Sequence, residues 1–390
     1  MGVGQSPLEG LAVNAAFGGA FLGRTVLVTG HTGFKGAWLS LWLHELGAKV
    51  VGYSLKPDSP ASLFVQSGVE HLIDSRLGDV REAALLEQTL RETRPEIVFH
   101  LAAQPLVRLS YEQPAETFAT NVMGTANLLS AVRRTNSVRV CSVVTTDKCY
   151  ENREEDYAYC EKDRLGGRDP YSASKACAEL VIASYRNSFF SAGSEKSHAA
   201  SLSSARAGNV IGGGDWSADR LVPDCIRALT AGRAISVRNP RAVRPWQFVL
   251  EPLSGYLSLA AHQLAAPKAG AEAWNFGPSP DDARTTAQVA DLVVKGWGSG
   301  RWTAASADPA APREAGLLKL DSAKALARLY WKPVLDADEA VARTVAWYRA
   351  ASGPGFDALA FTRRQIADYT ATACEAGLAW AAEKTPEARS

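Results

Sequence analysis

The chain has 390 residues, 46% of them hydrophobic, with 42 basic side chains against 41 acidic ones. That length supports a large core and about two domains, while the near-neutral balance excludes a global basic field for nucleic acid, so an anionic ligand has to be bound locally. The six cysteines (Cys141, Cys149, Cys160, Cys177, Cys225 and Cys374) form no C-x-x-C spacing and no Cys/His cluster, which predicts free thiols in a reducing cytosol and no structural metal.

Leu11 to Leu22 is mildly apolar, but no Lys or Arg precedes it, so the basic start of a secretory signal is missing. Gly2 to Ser6 fits the pattern M-G-x-x-x-S, short enough to arise by chance. Residues 1–20 are therefore expected as a loose Gly/Ala tail that can be removed without loss of folding. No other apolar run approaches the roughly 18 residues needed to span a bilayer, so no membrane segment is expected.

From Thr25 the chain alternates strand-like and helix-like segments. Thr25–Thr29 is a β-branched run, Phe34–Leu46 reads as a helix ended by Gly47, and Lys49–Tyr53 is a second strand. Glu82–Thr93 has helical spacing closed by Pro95, and Glu96–Leu101 is a buried strand. Phe118, Val122, Thr125, Leu129 and Val132 mark one face of a long helix, and Ser137–Thr145 is again strand-like. The alternation predicts an α/β fold with a doubly wound parallel sheet covered on both faces. Ser184–Ser204, rich in Ser and Ala, is expected to contain an exposed loop. Beyond about Ala205 come loops rich in Gly, Pro, Trp and Arg (GNVIGGGDW, VRNPRAVRPW, NFGPSPDDA), which suit a ligand-covering region. The expected division is a dinucleotide-binding domain over 21–207 and a smaller, mainly substrate-binding domain over 208–380, with some segments returning to the first. A tail over 381–390 follows, frayed from Glu383.

The first strand runs into Gly30-His-Thr-Gly33-Phe-Lys-Gly36 and then a helix. Such glycines allow a tight bend and close approach of backbone to a pyrophosphate, with the helix N-terminus supplying free N–H groups. Gly30, Thr32, Gly33, Phe34 and Lys35 are the candidate cofactor contacts there. Asp79 and Val80 lie where a loop meets the adenine, and Leu101, Ala102, Ala103 and Gln104 follow a strand end beside the cofactor path. The Asp or Glu usually presented to the adenosine ribose is missing: Tyr53-Ser54-Leu55-Lys56 stands there. NAD is the expected cofactor, with Lys35 and Lys56 placed to meet a 2′-phosphate should it be NADP. Gly212–Gly214 lacks a following Lys-Ser/Thr and is no P-loop; a flexible turn and a role near a substrate diphosphate both remain open.

Tyr171 and Lys175, four residues apart, share one face of a helix that begins at Pro170. An ammonium beside a phenol, joined by a nicotinamide cation, lowers the phenol's pKa so that it can accept a hydroxyl proton. Thr146, Asp147 and Lys148 follow the strand Val140–Val144, at the end that faces the ligand crevice of a doubly wound sheet. Thr146 can hydrogen-bond the reacting hydroxyl, and Asp147, kept protonated by a dry pocket, can donate to a departing hydroxide. Lys148 either accepts the proton beside the new ketone, if neutral, or stabilises an enolate, if charged.

With these residues in place the chain resembles the extended short-chain dehydrogenase/reductases, with their Rossmann fold, and within them the nucleotide-sugar 4,6-dehydratases. The segments are TGHTGFKG (Thr29–Gly36), HLAAQPLVRLSYEQP (His100–Pro114), NVMGT (Asn121–Thr125), TDKCY (Thr146–Tyr150), PYSASK (Pro170–Lys175), RAGNVIGGGDW (Arg206–Trp216), RPWQ (Arg244–Gln247), EPLSGY (Glu251–Tyr256) and WNFGP (Trp274–Pro278). The resemblance implies cofactor and catalytic roles for Thr146, Asp147, Lys148, Tyr171 and Lys175, and adds Asn121 to the cofactor set. It also implies substrate contacts from Gln104, Arg108, Asn209, Arg220, Arg238 and Arg244, the arginine fork being suited to phosphate oxygens. Related dTDP-glucose and UDP-sugar dehydratases carry Glu where this chain has Lys148, which points to the CDP-glucose branch and leaves the base at carbon 5 open. Phe248 stands where a His is expected, so a substrate contact is expected to differ. The resemblance implies a cytosolic homodimer, in deoxysugar and surface lipopolysaccharide synthesis, with CDP-glucose as substrate and neither nucleic acid nor membrane as partner. Two rivals are a nucleotide-sugar 4-epimerase, which needs no Asp147–Lys148 pair, and a dinucleotide sensor, which needs neither Tyr171 nor Lys175.

Overall fold

The computed structural model describes residues 15–190, 198–306 and 316–382. Seven strands build the main sheet: β1 (Thr25–Thr29), β2 (Lys49–Ser54), β3 (Asp74–Leu77), β4 (Ile97–His100), β5 (Val140–Val144), β6 (Ser201–Ala207) and β7 (Ala273–Phe276). Their spatial order is β3-β2-β1-β4-β5-β6-β7, and every neighbouring pair is parallel. The order reverses direction between β1 and β4, which opens a crevice at the carboxyl ends of the strands.

Period-two alternation explains why both faces are covered. Val26 and Val28 of β1 join a cluster with Trp38 and Trp42 of α1 (Phe34–Glu45), while Leu27 joins another. That second cluster holds Leu86 and Leu90 of α2 (Ala83–Thr93), Leu128 and Leu129 of α3 (Gly124–Arg133) and Ile182 of α4 (Pro170–Phe189).

The long helix expected through Phe118 and Val132 comes in pieces. Pro114–Phe118 is helical, Ala119–Met123 forms a π-helical turn, and α3 continues from Gly124. The wider turn shifts the inward face, so Phe118 and Met123 are exposed and Asn121 is buried. β6 begins inside the Ser- and Ala-rich segment expected to contain an exposed loop, and all of the strand is buried. Its serines are tolerated because they are paired: Ser203 with Ser142 (2.9 Å) and Gln263, Ser201 with the Pro267 carbonyl (2.6 Å) and Ser204 with Glu179 (2.8 Å).

Past β6 the chain forms short pairs. Asn209–Ile211 runs parallel to Trp246–Phe248, Ile235–Val237 parallel to Trp302–Ala304, and Val243–Arg244 antiparallel to Arg284–Thr285. Helices α5 (Leu221–Thr230), α6 (Leu250–Ala265), α7 (Thr286–Trp297), α8 (Ala337–Ala351) and α9 (Ala358–Glu375) complete the order. α6 and β7 return to the main sheet, and one hydrophobic cluster runs from Ala16 to Ala381, across the expected division at 207/208. The Gly212–Gly214 turn is packed tight: a Cβ on Gly213 would meet the Trp347 ring at 2.0 Å, and Trp38 Nε1 donates to its carbonyl at 3.0 Å.

The loose-tail expectation fails from Ala16 onward. Phe17 stacks on Trp380 with centroids 4.9 Å apart, meets Phe21 and Trp42 edge-on, and donates its N–H to the Trp380 carbonyl. The aromatic surface formed by Trp42, Tyr369 and Trp380 is what this segment covers. Gly2–Ser6 and Glu383–Ser390 lie outside the described residues.

Candidate active site

Four strand ends converge on one cleft. It is lined by Phe34 and Lys35 after β1, Leu101 and Ala103 after β4, Thr146, Asp147 and Lys148 after β5, and Ala207 to Gly212 after β6. Tyr171 and Lys175 of α4 face it, and Asn209, Arg220, Arg238 and Arg244 close it together with Arg108.

The glycine turn is built for close approach. Gly30 sits at φ +76°, and a Cβ there would come within 2.7 Å of the Ala102 backbone; at Gly36 it would meet the Gly30 carbonyl at 2.0 Å. α1 starts at Gly33 with no side-chain cap, leaving its first amides open toward the cleft. A glycine cradle at an uncapped helix start is a fit for a pyrophosphate. Thr32 lies beneath it, bonded to the Ser54 hydroxyl and the Leu55 carbonyl (both 2.9 Å). Ser54 thus ends β2 where a ribose-binding acid was sought.

On the opposite side Asp169 caps α4 through the Ser172 N–H (2.9 Å) and Pro170 opens the helix, which fixes where Tyr171 points. Tyr171 and Thr146 face the cleft together, and the Thr146 hydroxyl donates to Asp147 Oδ1 (3.0 Å). Asp147 Oδ2 is buried without a partner, and burial pushes the Asp147 carboxyl up, against the pull of Lys148, Thr146 and Arg244. A buried carboxyl that holds its proton more tightly than it would in water therefore stands beside Thr146 and Tyr171. Burial drives the Tyr171 phenol up to about 12, with the Thr146 hydroxyl and Arg220 pulling it down and Asp147 pushing it up. Lys175 is held at about 8 by burial, and its Nζ reaches the Val144 carbonyl at 3.4 Å. Lys35 is lowered to about 7 by burial and by the nearby charges of Lys175 and Arg220.

The remaining predicted residues divide. Arg220 pairs with Asp215 (2.9 Å), and Arg238 and Arg108 both reach Asp219, the latter at 3.6 Å. Arg244 donates to the Val243 carbonyl while lining the cleft. Asn121 sits one layer back, bonded to Ser174 (2.8 Å) and to the Gln104 backbone. Gln104 does not line the cleft: its amide is spent on Leu106 and Thr117 within its own loop. Asp79 is engaged by Arg81, Val80 packs against Gly124, and Ala102 donates its N–H to Thr29, all outside the cleft lining. Phe248 is a core residue, edge-on to Trp38, so the expected change in a substrate contact does not arise there. Sequence reasoning missed Asp215 and Asp219, readable only as acids spaced four apart ahead of Arg220, and the buried pair Glu179–Arg206.

A family model described as GDP-mannose 4,6 dehydratase matches residues 27–344. The chain is 48% identical over 348 residues to the CDP-glucose 4,6-dehydratase of Salmonella typhimurium strain LT2, covering 89% of this chain and 96% of that protein. It is 26% identical to a dTDP-glucose 4,6-dehydratase of Xanthomonas campestris pv. campestris, covering 83% and 93%. The solved structure of DesIV, a dTDP-glucose 4,6-dehydratase from Streptomyces venezuelae with NAD and TYD bound, shares the fold at a TM-score of 0.68 and 24% identity, covering 83% of this chain and 97% of that one. Epimerase Mth375 of Methanothermobacter thermautotrophicus shares it at 0.71 and 20% identity, covering 88% and 96%.

Proposed function

The chain belongs to the GDP-mannose 4,6-dehydratase family, and from that premise we propose that it converts CDP-glucose to CDP-4-keto-6-deoxyglucose and water with NAD as a recycled cofactor. The observation that carries this reading is that Tyr171, Thr146 and the buried Asp147 carboxyl line one cleft, with the Thr146 hydroxyl donating to Asp147, which brings a proton acceptor and a buried carboxyl together. An epimerase needs only the first of these.

The glycine cradle at Gly30, Gly33 and Gly36, with Phe34, Lys35, Leu101 and Ala103, holds the cofactor. When bound, NAD supplies a two-electron acceptor at sugar carbon 4 and a positive ring charge beside Tyr171. Tyr171 takes the carbon 4 hydroxyl proton, aided by the Lys175 ammonium and oriented through Thr146. With a ketone at carbon 4 the carbon 5 proton is acidic. Asp147 gives its proton to the departing carbon 6 hydroxyl, and Lys148 faces the carbon 5 side, as base if neutral or as charge stabiliser if protonated. Arg220, Arg238, Arg244 and Arg108, with Asn209, receive the nucleotide diphosphate. Segments beyond residue 208 supply that wall, which supports reading them as the substrate domain.

Deoxysugar supply for surface lipopolysaccharide, a cytoplasmic setting and a homodimer complete the proposal. Exposed Phe118, Met123 and Leu180 on adjacent helices support the dimer, and among the described residues no helix is long and apolar enough to cross a membrane. The deciding experiment feeds CDP-glucose labelled with deuterium at carbon 4. The label is expected on the carbon 6 methyl group of the product. Label returned to carbon 4 would identify an epimerase, and label released on the reduced cofactor, as deuterated NADH, a simple dehydrogenase.

A further inference from the structure

Directly behind Lys175 lies a fully buried ion pair. Glu179, one turn further along α4, and Arg206 of β6 have side-chain exposures of 2% and 3%. Glu179 accepts from Arg206 Nε (2.9 Å) and Nη2 (2.7 Å), from the Thr145 hydroxyl (2.5 Å) and from the Ser204 hydroxyl (2.8 Å). Arg206 in turn donates to the Tyr150 hydroxyl (2.8 Å), which donates to Asn275 (2.7 Å). We propose that Glu179, paired with Arg206, is a positioning residue of the reaction. It supplies the counter-charge for the Lys175 ammonium and ties the helix carrying Tyr171 to the strand end carrying Thr146 and Asp147.

The geometry singles out this role over a contribution to stability. Taking two charges out of water costs about as much as their attraction returns, and apolar residues of similar volume often serve a core as well or better. What hydrophobic residues cannot supply is a fixed negative charge one turn from Lys175. Burial pushes Glu179 up, but the Arg206 charge and the hydrogen bonds from Arg206, Thr145 and Ser204 more than offset it, so the carboxylate is ionised at neutral pH. Burial alone lowers Lys175, and Glu179 opposes that fall. The other titratable groups facing Lys175 are Cys149 after β5, His100 at the end of β4 and Lys35 on α1. Cys149 is a buried thiol pushed above its ordinary range, His100, lowered to about 3, is neutral, and Lys35, lowered to about 7, carries no negative charge in either form. Glu179 is therefore the anion in this group at neutral pH. Its hydrogen bond to Thr145 reaches the residue next to Thr146, so the same carboxylate fixes both halves of the Tyr171–Thr146 contact.

This inference rests on the reading that Lys175 serves the reaction, and the test separates the two. Protein labelled with ¹³C at lysine Cε is titrated, with the Lys175 signal assigned by its loss in Lys175→Arg. In Glu179→Gln the Lys175 titration is expected to fall by about one unit or more, the scale of a lost opposite charge at close range. Glu179→Asp, which keeps the charge, is expected to stay near the wild type. The alkaline limb of kcat/KM moves down together with Lys175, whereas a merely structural role lowers the amplitude and leaves the limb in place. The double variant Glu179→Gln/Arg206→Gln avoids leaving Arg206 charged without its partner and carries the same downward expectation for Lys175 if the single variant does not fold. An unmoved Lys175 titration in the folded variant, or an equal fall in Glu179→Asp, overturns the proposal. Wild-type protein that leaves CDP-glucose unchanged while Lys175 still responds to Glu179 would refute the reaction and leave this inference standing.

Discussion

The two walls of the cleft hold their charges by different means. On the sheet side Glu179 and Arg206 are sealed in the core, with both carboxylate oxygens accepting hydrogen bonds. On the loop side Arg108, Arg220 and Arg238 each keep a side chain 33% exposed and lean on Asp215 and Asp219. Asp219 itself sits at φ 61°, a left-handed turn that carries its carboxylate to both Arg108 and Arg238. A buried network permits one arrangement, because any departure leaves a charge unpaired in a low dielectric. Solvated pairs exchange partners at little cost. The sheet wall thus suits chemistry that needs fixed proton positions, and the loop wall suits capture of a polyanion that replaces the aspartates.

The sharpest way to break this contrast is Tyr171→Phe. Turnover is expected to fall by about 10²–10⁴-fold, the range of an acid–base group, while KM for CDP-glucose changes little; steady-state kinetics measures both. Retention of more than half the wild-type turnover would remove Tyr171 from the sheet wall's chemistry. Smaller, and confined to stability, is Phe17→Ala. Phe17 packs on Trp42 of α1, the helix that presents the glycine turn, so its loss is expected to cost about 3 kcal/mol in denaturant unfolding, with kcat of the folded enzyme preserved. An unchanged midpoint would show that the aromatic packing behind α1 contributes nothing to that wall. The smallest effect belongs to the loop side. Arg238→Ala is expected to raise KM about tenfold, the scale of one or two charge-assisted hydrogen bonds, with kcat nearly unchanged. The salt dependence of KM should weaken as well, since solvated charges are screened over about 8 Å at physiological ionic strength. A loss in kcat at constant KM would erase the distinction between the walls.

The legible parts of the site are those written in local rules. Pro170, Tyr171 and Lys175 declare a helix start and a shared face within six residues. Thr146 and Asp147 follow a β-branched strand, and Gly30, Gly33 and Gly36 follow another. Spacing marked each of these, and their order along the chain, with the resemblance it carries, gave them their expected roles. The misses share one cause. β6 reads SLSSARA, in which serine and alanine carry no strand signal, so it was not singled out as a strand; its burial depends on Ser142, Gln263 and Glu179 from elsewhere in the chain. Gln104 and Phe248 lay in segments that resemble ligand contacts, yet the backbone turns one into its own loop and the other into the core. Phe17 looked like tail until Trp380, far away in sequence, covered it.

Sequence by itself therefore determined the alternation of strands and helices, the glycine turn after the first strand and the start of the helix that carries Tyr171 and Lys175, because these depend on dihedral preferences and periodicities acting over a few positions. Tertiary structure alone decided which charges meet. Glu179 finds Arg206 across 27 positions, Arg108 finds Asp219 from another part of the chain, and the Asp147 carboxyl is pushed up because the fold removes water around it. The energy of a charge is set by its surroundings, and those are assembled only when distant segments pack.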